Sequence, residues 1–178
     1  VREGSGGLHG GKLEAGDVLP IAALEPIAPR WIPPRQRPSY HKQAILRVVL
    51  GYQVNDFSAL DQQRFFSSEY QVSDRCDRMG YRLDGPAIPC SRTGMLSAGI
   101  ALGAIQVPAD GQPIVLLHDR QTIGGYPKLG VVLSIDCSLL AQLRPGNSLH
   151  FLAISPEDAH NAITLAHVFE RSRRLEPA

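Results

Sequence analysis

The apolar residues of this chain come in short bursts. "AILRVVL", "EYQVS", "GYRLDG", "AIQVP", "PIVLL", "GVVLSI" and "LHFLAI" are each five to seven residues long, and turn formers lie between them. Bursts rich in β-branched and aromatic residues at this spacing read as strands. Long helices do not alternate with them, which excludes a doubly wound parallel sheet. Three stretches read as helical. In "DFSALDQQRFF", Phe57, Leu60, Arg64 and Phe65 recur at helical spacing. "SLLAQLRPG" is a helical turn stopped by Pro145 and Gly146. "SPEDAHNAITLAHVFERSRR" carries the fullest signals: Ser155 as N-cap, Pro156 at the first position, Glu157 and Asp158 at the positive end of the dipole, and Arg171, Arg173 and Arg174 at the other. The sum is mainly β, a barrel or sandwich with peripheral helices, or else α+β.

The bursts begin only at Gln43. Before them the chain is glycine-rich, and Gly16-Asp17 reads as a turn into a short strand. Six of the fourteen prolines then fall in residues 20–38, at positions 20, 26, 29, 33, 34 and 38. Each removes a backbone donor, so this stretch reads as an extended arm, with Trp31 packed on a neighbouring surface. Residues 1–42 are thus a glycine- and proline-rich linking segment, and 43–178 the packed domain.

Eighteen basic and seventeen acidic side chains nearly cancel. That leaves no electrostatic footprint for nucleic acid or an anionic membrane. The longest apolar stretch, "MLSAGIALGAIQVP", is broken by Gly99 and Gly103 and is too short to span a bilayer as a helix. It reads as buried sheet and turn. Cys76, Cys90 and Cys137 lack both an even count and metal spacing, which favours a reducing cytoplasm. The scattered histidines offer no chelating pair, and no metal is expected.

Three stretches carry candidate chemistry. In "DRQTIGGYP", Lys128 follows a proline rather than a glycine, so this is no Walker loop. Gly124-Gly125 reads first as a turn with positive φ. Asp119 and Thr122 are spaced to converge in one turn, and Tyr126 is placed to project into a cleft. In "SDRCDRMGYRLDGP", Arg78 and Arg82 share one face of a strand and suit a bidentate anion contact. The competing reading is a salt bridge to Asp74, Asp77 or Asp84. In "GAIQVPADGQPIVLL", Ala109-Asp110-Gly111 marks a hairpin that sets Gln106 and Gln112 on the same sheet face.

In order, "DRMGYRLDGP", "LSAGIALGAIQVPADGQPIVLLHDRQTIGGYPKLG" and "LAQLRPGNSLHF" resemble the allophanate hydrolase subunit 2 family, which includes the C-type subunit of 5-oxoprolinase and is also called KipA-like or biotin-dependent carboxyltransferase. "GGLHGGKLEAGDVLP" resembles the segment that joins the two halves of that family, so the likeness covers only its C-terminal half. The resemblance implies a cyclophilin-like β-barrel. It implies pairing with a KipI-like subunit 1 (the B-type subunit of 5-oxoprolinase) and with a LamB/YcsF-like A-type subunit. It implies ATP-dependent opening of 5-oxo-L-proline to L-glutamate in the cytoplasm, with a half-chain inactive by itself. The alternatives are the carboxyltransferase part of a urea carboxylase, with biotin carried by a partner, or a KipA-type regulatory binding protein. Open barrel edges left by the absent half would favour self-association.

On that reading ATP, alone or with Mg, activates the lactam. Arg78 and then Arg82 contact anions, with Tyr81 between them. Asp119 positions a metal-bound water or acts as base, and Thr122 with the amides of Gly124 and Gly125 forms an oxyanion nest. Gln106 and Tyr126 line the substrate pocket. Two departures stand out. Ile123 replaces the second threonine of the usual "DxQTTGGYP", and "RVVLGYQVNDF" alters the family's "LPGPQ"-like loop at Leu50-Gly51-Tyr52.

Overall fold

The computed structural model describes residues 4, 7–22, 28–91, 95–173 and 175–177. Pro26, Arg174 and most of the opening "VREGSGG" lie outside the described residues. Two compact units result, Val1–Ile32 with Leu175–Ala178, and Pro33–Arg174.

In the smaller unit β1 (Arg30–Trp31) pairs antiparallel with a second two-residue strand at Glu176–Pro177. The turn at Gly16-Asp17 is present: Gly16 has φ +98, and the Asp17 carboxylate accepts from the Glu14 amide at 2.7 Å. No strand follows it among the described residues up to Ile21.

The larger unit holds the remaining elements in the order β2 (Gln43–Leu50), α1 (Ala59–Ser67), β3 (Tyr70–Cys76), β4 (Gly80–Asp84), β5 (Ala98–Gly99), β6 (Ala104–Gln106), β7 (Ile114–Leu116), β8 (Ile123–Gly124), β9 (Lys128–Val132), α2 (Ser134–Leu140), β10 (Ser148–Ala153) and α3 (Pro156–Ser172). Seven strands close a barrel in the order β10-β2-β9-β6-β7-β4-β3. Only β10 and β2 run parallel, with Ser148 opposite Gln43 and Ala153 opposite Val48. The mainly-β barrel with peripheral helices is therefore observed. The open edges expected from an absent half are not, because the ring closes within this chain and closure pairs every edge of that sheet.

Alternation fills the barrel. Leu46 and Val48 of β2, Val72 of β3, Ile105 of β6, Val115 of β7, Leu149 and Phe151 of β10 are buried in one core with Phe65 of α1. Phe65 stacks on Phe151 at 4.3 Å between centroids and lies 5.7 Å from Tyr70. Each large ring buries much apolar area, so α1 is held by its last turn. Asp136 of α2, 2% exposed, accepts from the Arg47 backbone amide at 2.8 Å and from its guanidinium at 2.9 and 2.6 Å. That carboxylate fastens α2 to β2. "GVVLSI" does not stay extended to its end, since Ser134 and Ile135 already belong to α2.

The strands β6, β7 and β9 are buried on both faces. If Ile105 and Val115 point inward, then Ala104, Gln106, Ile114 and Leu116 point outward. A second buried cluster forms there from Ile100, Ala104, Ile114 and Leu116. The two-residue strands β5 and β8 pair as a separate ribbon, with Ala98 opposite Gly124 and Gly99 opposite Ile123.

Candidate functional site

The ribbon of β5 and β8 lies against two buried polar side chains, Gln106 and Lys128. Gln106 is 1% exposed, and its Nε2 is buried with no hydrogen-bond partner. A Cβ placed on Gly124 would meet that nitrogen at 3.0 Å and Ile100 Cδ1 at 2.8 Å. Neither Gly124 nor Gly125 has a positive φ, nor does any other residue from 119 to 127. The expected positive-φ turn is thus corrected: Gly124 is a strand residue, and a side chain there would press on the ends of Ile100 and Gln106. The same geometry removes the expected nest, since an αR–αL alternation of amides needs one positive φ.

Opposite Gln106 on β9 stands Lys128. Sequence reasoning used it only to reject a Walker loop, yet it is 8% exposed. Its Nζ donates to the Gly99 carbonyl at 3.3 Å and lies 6.0 Å from the centre of the Tyr52 ring. Its backbone amide donates to Oε1 of buried Gln53 at 2.8 Å, and Gln53 Nε2 donates to the Tyr52 hydroxyl at 3.3 Å. Among the described residues no carboxylate pairs with Lys128. A cavity of about 180 Å³ opens here, lined by Gly51, Tyr52, Gly99, Ala101, Ala104 and Lys128 among others. The signal that could have shown it is a lysine inside an otherwise apolar burst, "PKLGVVL".

The arginines divide rather than converge. Arg78, before β4, grips Asp119 with Nε at 2.9 Å from Oδ2 and NH2 at 3.2 Å from Oδ1. The Asp119 amide donates to the Arg78 carbonyl at 3.0 Å, so backbone and side chains form one clasp. Arg82, on β4, faces Asp110 of the β6–β7 hairpin at 3.9 Å, and Arg75 faces Asp84 at 3.9 Å. Salt bridges therefore form, but for Arg78 and Arg82 with carboxylates farther along the chain than those weighed from the sequence. Asp77 instead accepts the amides of Met79 and Gly80, at 2.8 and 3.2 Å, and makes the turn.

Tyr81 lies half-buried against the core and donates to the Ala141 carbonyl at 3.4 Å. Burial, and then the nearby Cys76, push its hydroxyl pKa up. Thr122 is exposed, and its carbonyl accepts the Ile100 amide at 3.0 Å. Tyr126 is 47% exposed and Gly125 is exposed beside the Met95 carbonyl. The hairpin at Gly111 forms, but Gln112 does not join Gln106; it clasps the amide and carbonyl of Gly85. Among the described residues no group of three or more His, Cys, Asp or Glu is gathered to hold a metal ion. No helix among them is long and apolar enough to cross a membrane.

Residues 1–153 match the family described as carboxyltransferase domain, subdomain A and B. The C-type subunit of 5-oxoprolinase from Escherichia coli is 35% identical over 171 residues, which cover 91% of this chain and 52% of that protein. The chain thus spans about half the length of that relative. The urea amidolyase of Lachancea kluyveri is 29% identical over 84% of this chain and 9% of its own length. Among solved structures, TTHA0988 superposes with a TM-score of 0.67 at 39% identity, over 79% of this chain and 27% of that one.

Proposed function

The chain belongs to the carboxyltransferase domain family, subdomain A and B, and from that premise we propose that it forms part of the C-type subunit of an ATP-dependent 5-oxoprolinase, where it holds the lactam during opening to L-glutamate. The observation that carries this at the site is the Gln106 amide. A buried N–H without an acceptor costs about 1–3 kcal/mol. It is 1% exposed on the outer barrel wall, against the ribbon of β5 and β8. A lactam carbonyl is an acceptor of the right kind. Two residue pairs join the strands of the ribbon, and lifting it from the wall to admit substrate would break the Lys128 Nζ contact to the Gly99 carbonyl.

In this reading the Gln106 Nε2 donates to the carbonyl oxygen as charge develops there. Asp119, held by Arg78 and half-exposed, takes a proton from the attacking water. Thr122 and Tyr126 on the exposed side of the loop close over the ring. ATP held elsewhere would give its terminal phosphoryl group to the lactam oxygen and leave as ADP, and phosphate would depart after water attacks and the C–N bond opens. A triphosphate asks for several converging cations or amides. Here Arg78 holds Asp119, Arg82 faces Asp110, and no nest forms. The residues described do not fit a nucleotide, so the phosphates are held elsewhere in an assembly with KipI-like and LamB/YcsF-like subunits.

The test uses full-length protein with those subunits. Glutamate should appear from 5-oxoproline only with ATP. Gln106→Leu should lower kcat/KM on the order of 10²-fold while the melting temperature holds or rises, because it removes an unsatisfied donor. No ATP-dependent glutamate above the blank sinks the reading. The family match and the urea amidolyase relative favour a second reading, a carboxyltransferase fed by biotin on a partner. That enzyme would transfer a carboxyl group to urea and release no glutamate.

A further inference from the structure

We infer that Lys128 and the cavity beside it form a subsite for the carboxylate of a small monoanionic acid. The identification of that acid as a lactam acid rests on the function proposed above; the carboxylate class does not.

A buried ammonium is costly unless a counter-charge or full hydrogen bonding compensates it. Lys128 is 8% exposed, and the described residues give its Nζ one carbonyl partner, Gly99 at 3.3 Å. An ammonium has three donors, so two remain. The Tyr52 ring, 6.0 Å away, is at the outer limit of a cation–π contact and supplies no hydrogen bond. What is absent is an anionic acceptor, and the adjoining cavity is where one can enter.

The walls restrict its size and charge. The cavity is about 180 Å³ and is lined by glycine, alanine and valine apart from Tyr52 and Lys128. At roughly 30 Å³ per water it holds the equivalent of about six waters. That suits an acid of a few carbons. One cation and apolar walls select one negative charge, because a second would be buried unpaired. A monocarboxylate fits both the charge and the walls, whereas phosphate has no apolar part to set against the walls.

The arrangement is held from behind. Gln53, 5% exposed, fixes the Lys128 backbone through its Oε1 and orients the Tyr52 hydroxyl through its Nε2. On β6 and β9, Lys128 is the cross-strand partner of Gln106. A carboxylate at Lys128 and a carbonyl at Gln106 would therefore be read by neighbouring residues of one wall.

The experiment is calorimetric titration of the 178-residue chain at neutral pH with 5-oxoproline, its uncharged carboxamide and inorganic phosphate. 5-Oxoproline should bind, with the carboxamide and phosphate each weaker by roughly tenfold or more. Lys128→Met, which keeps the stem and removes the charge, should lose about tenfold for the acid while keeping the wild-type melting temperature. Ala101→Leu keeps the ammonium and fills the cavity, and should also abolish binding. Equal binding of acid and carboxamide, phosphate as strong as the acid, full affinity in Lys128→Met or Ala101→Leu, or no binding of the acid would each overturn the subsite. Lys128-dependent binding of the acid in a protein whose full assembly releases no glutamate would retain the subsite and refute the oxoprolinase reading. Glutamate release unaffected by Lys128→Met would do the reverse.

Discussion

At the residue scale the glycines of "DRQTIGGYP" separate steric need from conformational need. A Cβ at Gly124 meets the ends of side chains, Ile100 Cδ1 at 2.8 Å and Gln106 Nε2 at 3.0 Å most closely, with Gln121 Nε2 at 3.8 Å. Those ends can move, so Gly124→Ala should cost about 1–2 kcal/mol of stability. It should disturb the site more than the fold, because the atom displaced is the orphaned amide. At Gly130 the corresponding atom is the backbone oxygen of Val49, 2.5 Å away. Gly130→Ala should therefore cost more than about 3 kcal/mol and break the β2–β9 ladder. Urea titration of both variants checks the order, and a Gly124→Ala protein less stable than Gly130→Ala would refute it. Ile123 is 62% exposed on β8. Ile123→Thr should change stability by under about 0.5 kcal/mol. What the sequence showed at this scale was a glycine pair that mattered. The reason was hidden, because closeness between residues 106 and 124 depends on which way β6 faces.

At the element scale the signals of α3 were readable in the chain: Ser155 Oγ accepts the Asp158 amide at 3.0 Å and Pro156 takes the first turn. Capping is local chemistry, so a local pattern reveals it. The ribbon of β5 and β8 was not readable, since two-residue strands carry no periodicity and form only where the barrel wall supports them. The fastening of α2 was equally invisible, with Arg47 and Asp136 separated by 89 positions. These two elements predict different responses. Ser155→Ala should cost about 1 kcal/mol, but most of α3 is exposed and only Ala159 is buried. The loss should appear as faster amide exchange confined to α3, with the global urea midpoint hardly moved. Asp136→Ala leaves Arg47, partly buried, without its carboxylate and should cost about 3–5 kcal/mol globally. A midpoint in Asp136→Ala equal to that of Ser155→Ala would deny the carboxylate its fastening role.

At the scale of the whole molecule the closed barrel makes its core one thermodynamic unit, and two of its buried groups titrate. Burial pushes the Cys137 thiol up from 9.0 to about 11, with the Asp136 charge adding to it. Burial likewise pushes the Tyr70 hydroxyl up from 10.0 to about 12, opposed by Arg64. Both groups are neutral when protonated, so the folded chain keeps these protons at pH values where the unfolded chain has lost them. The folded state then binds more protons than the unfolded one, and stability falls as pH rises. For Cys137 the fall starts near pH 9.0 and ends near about 11; for Tyr70 it starts near 10.0 and ends near about 12. The urea midpoint should therefore be level at neutral pH and decline from about pH 9 upward. Cys137→Ala deletes the lower window only, so its midpoint should stay level up to about pH 10 and then decline with Tyr70 and with Tyr81, whose hydroxyl is also raised by burial. A wild-type midpoint unchanged between pH 9 and 11 would show that neither group is held neutral by the core. The same decline starting at pH 9 in Cys137→Ala would assign it to another group.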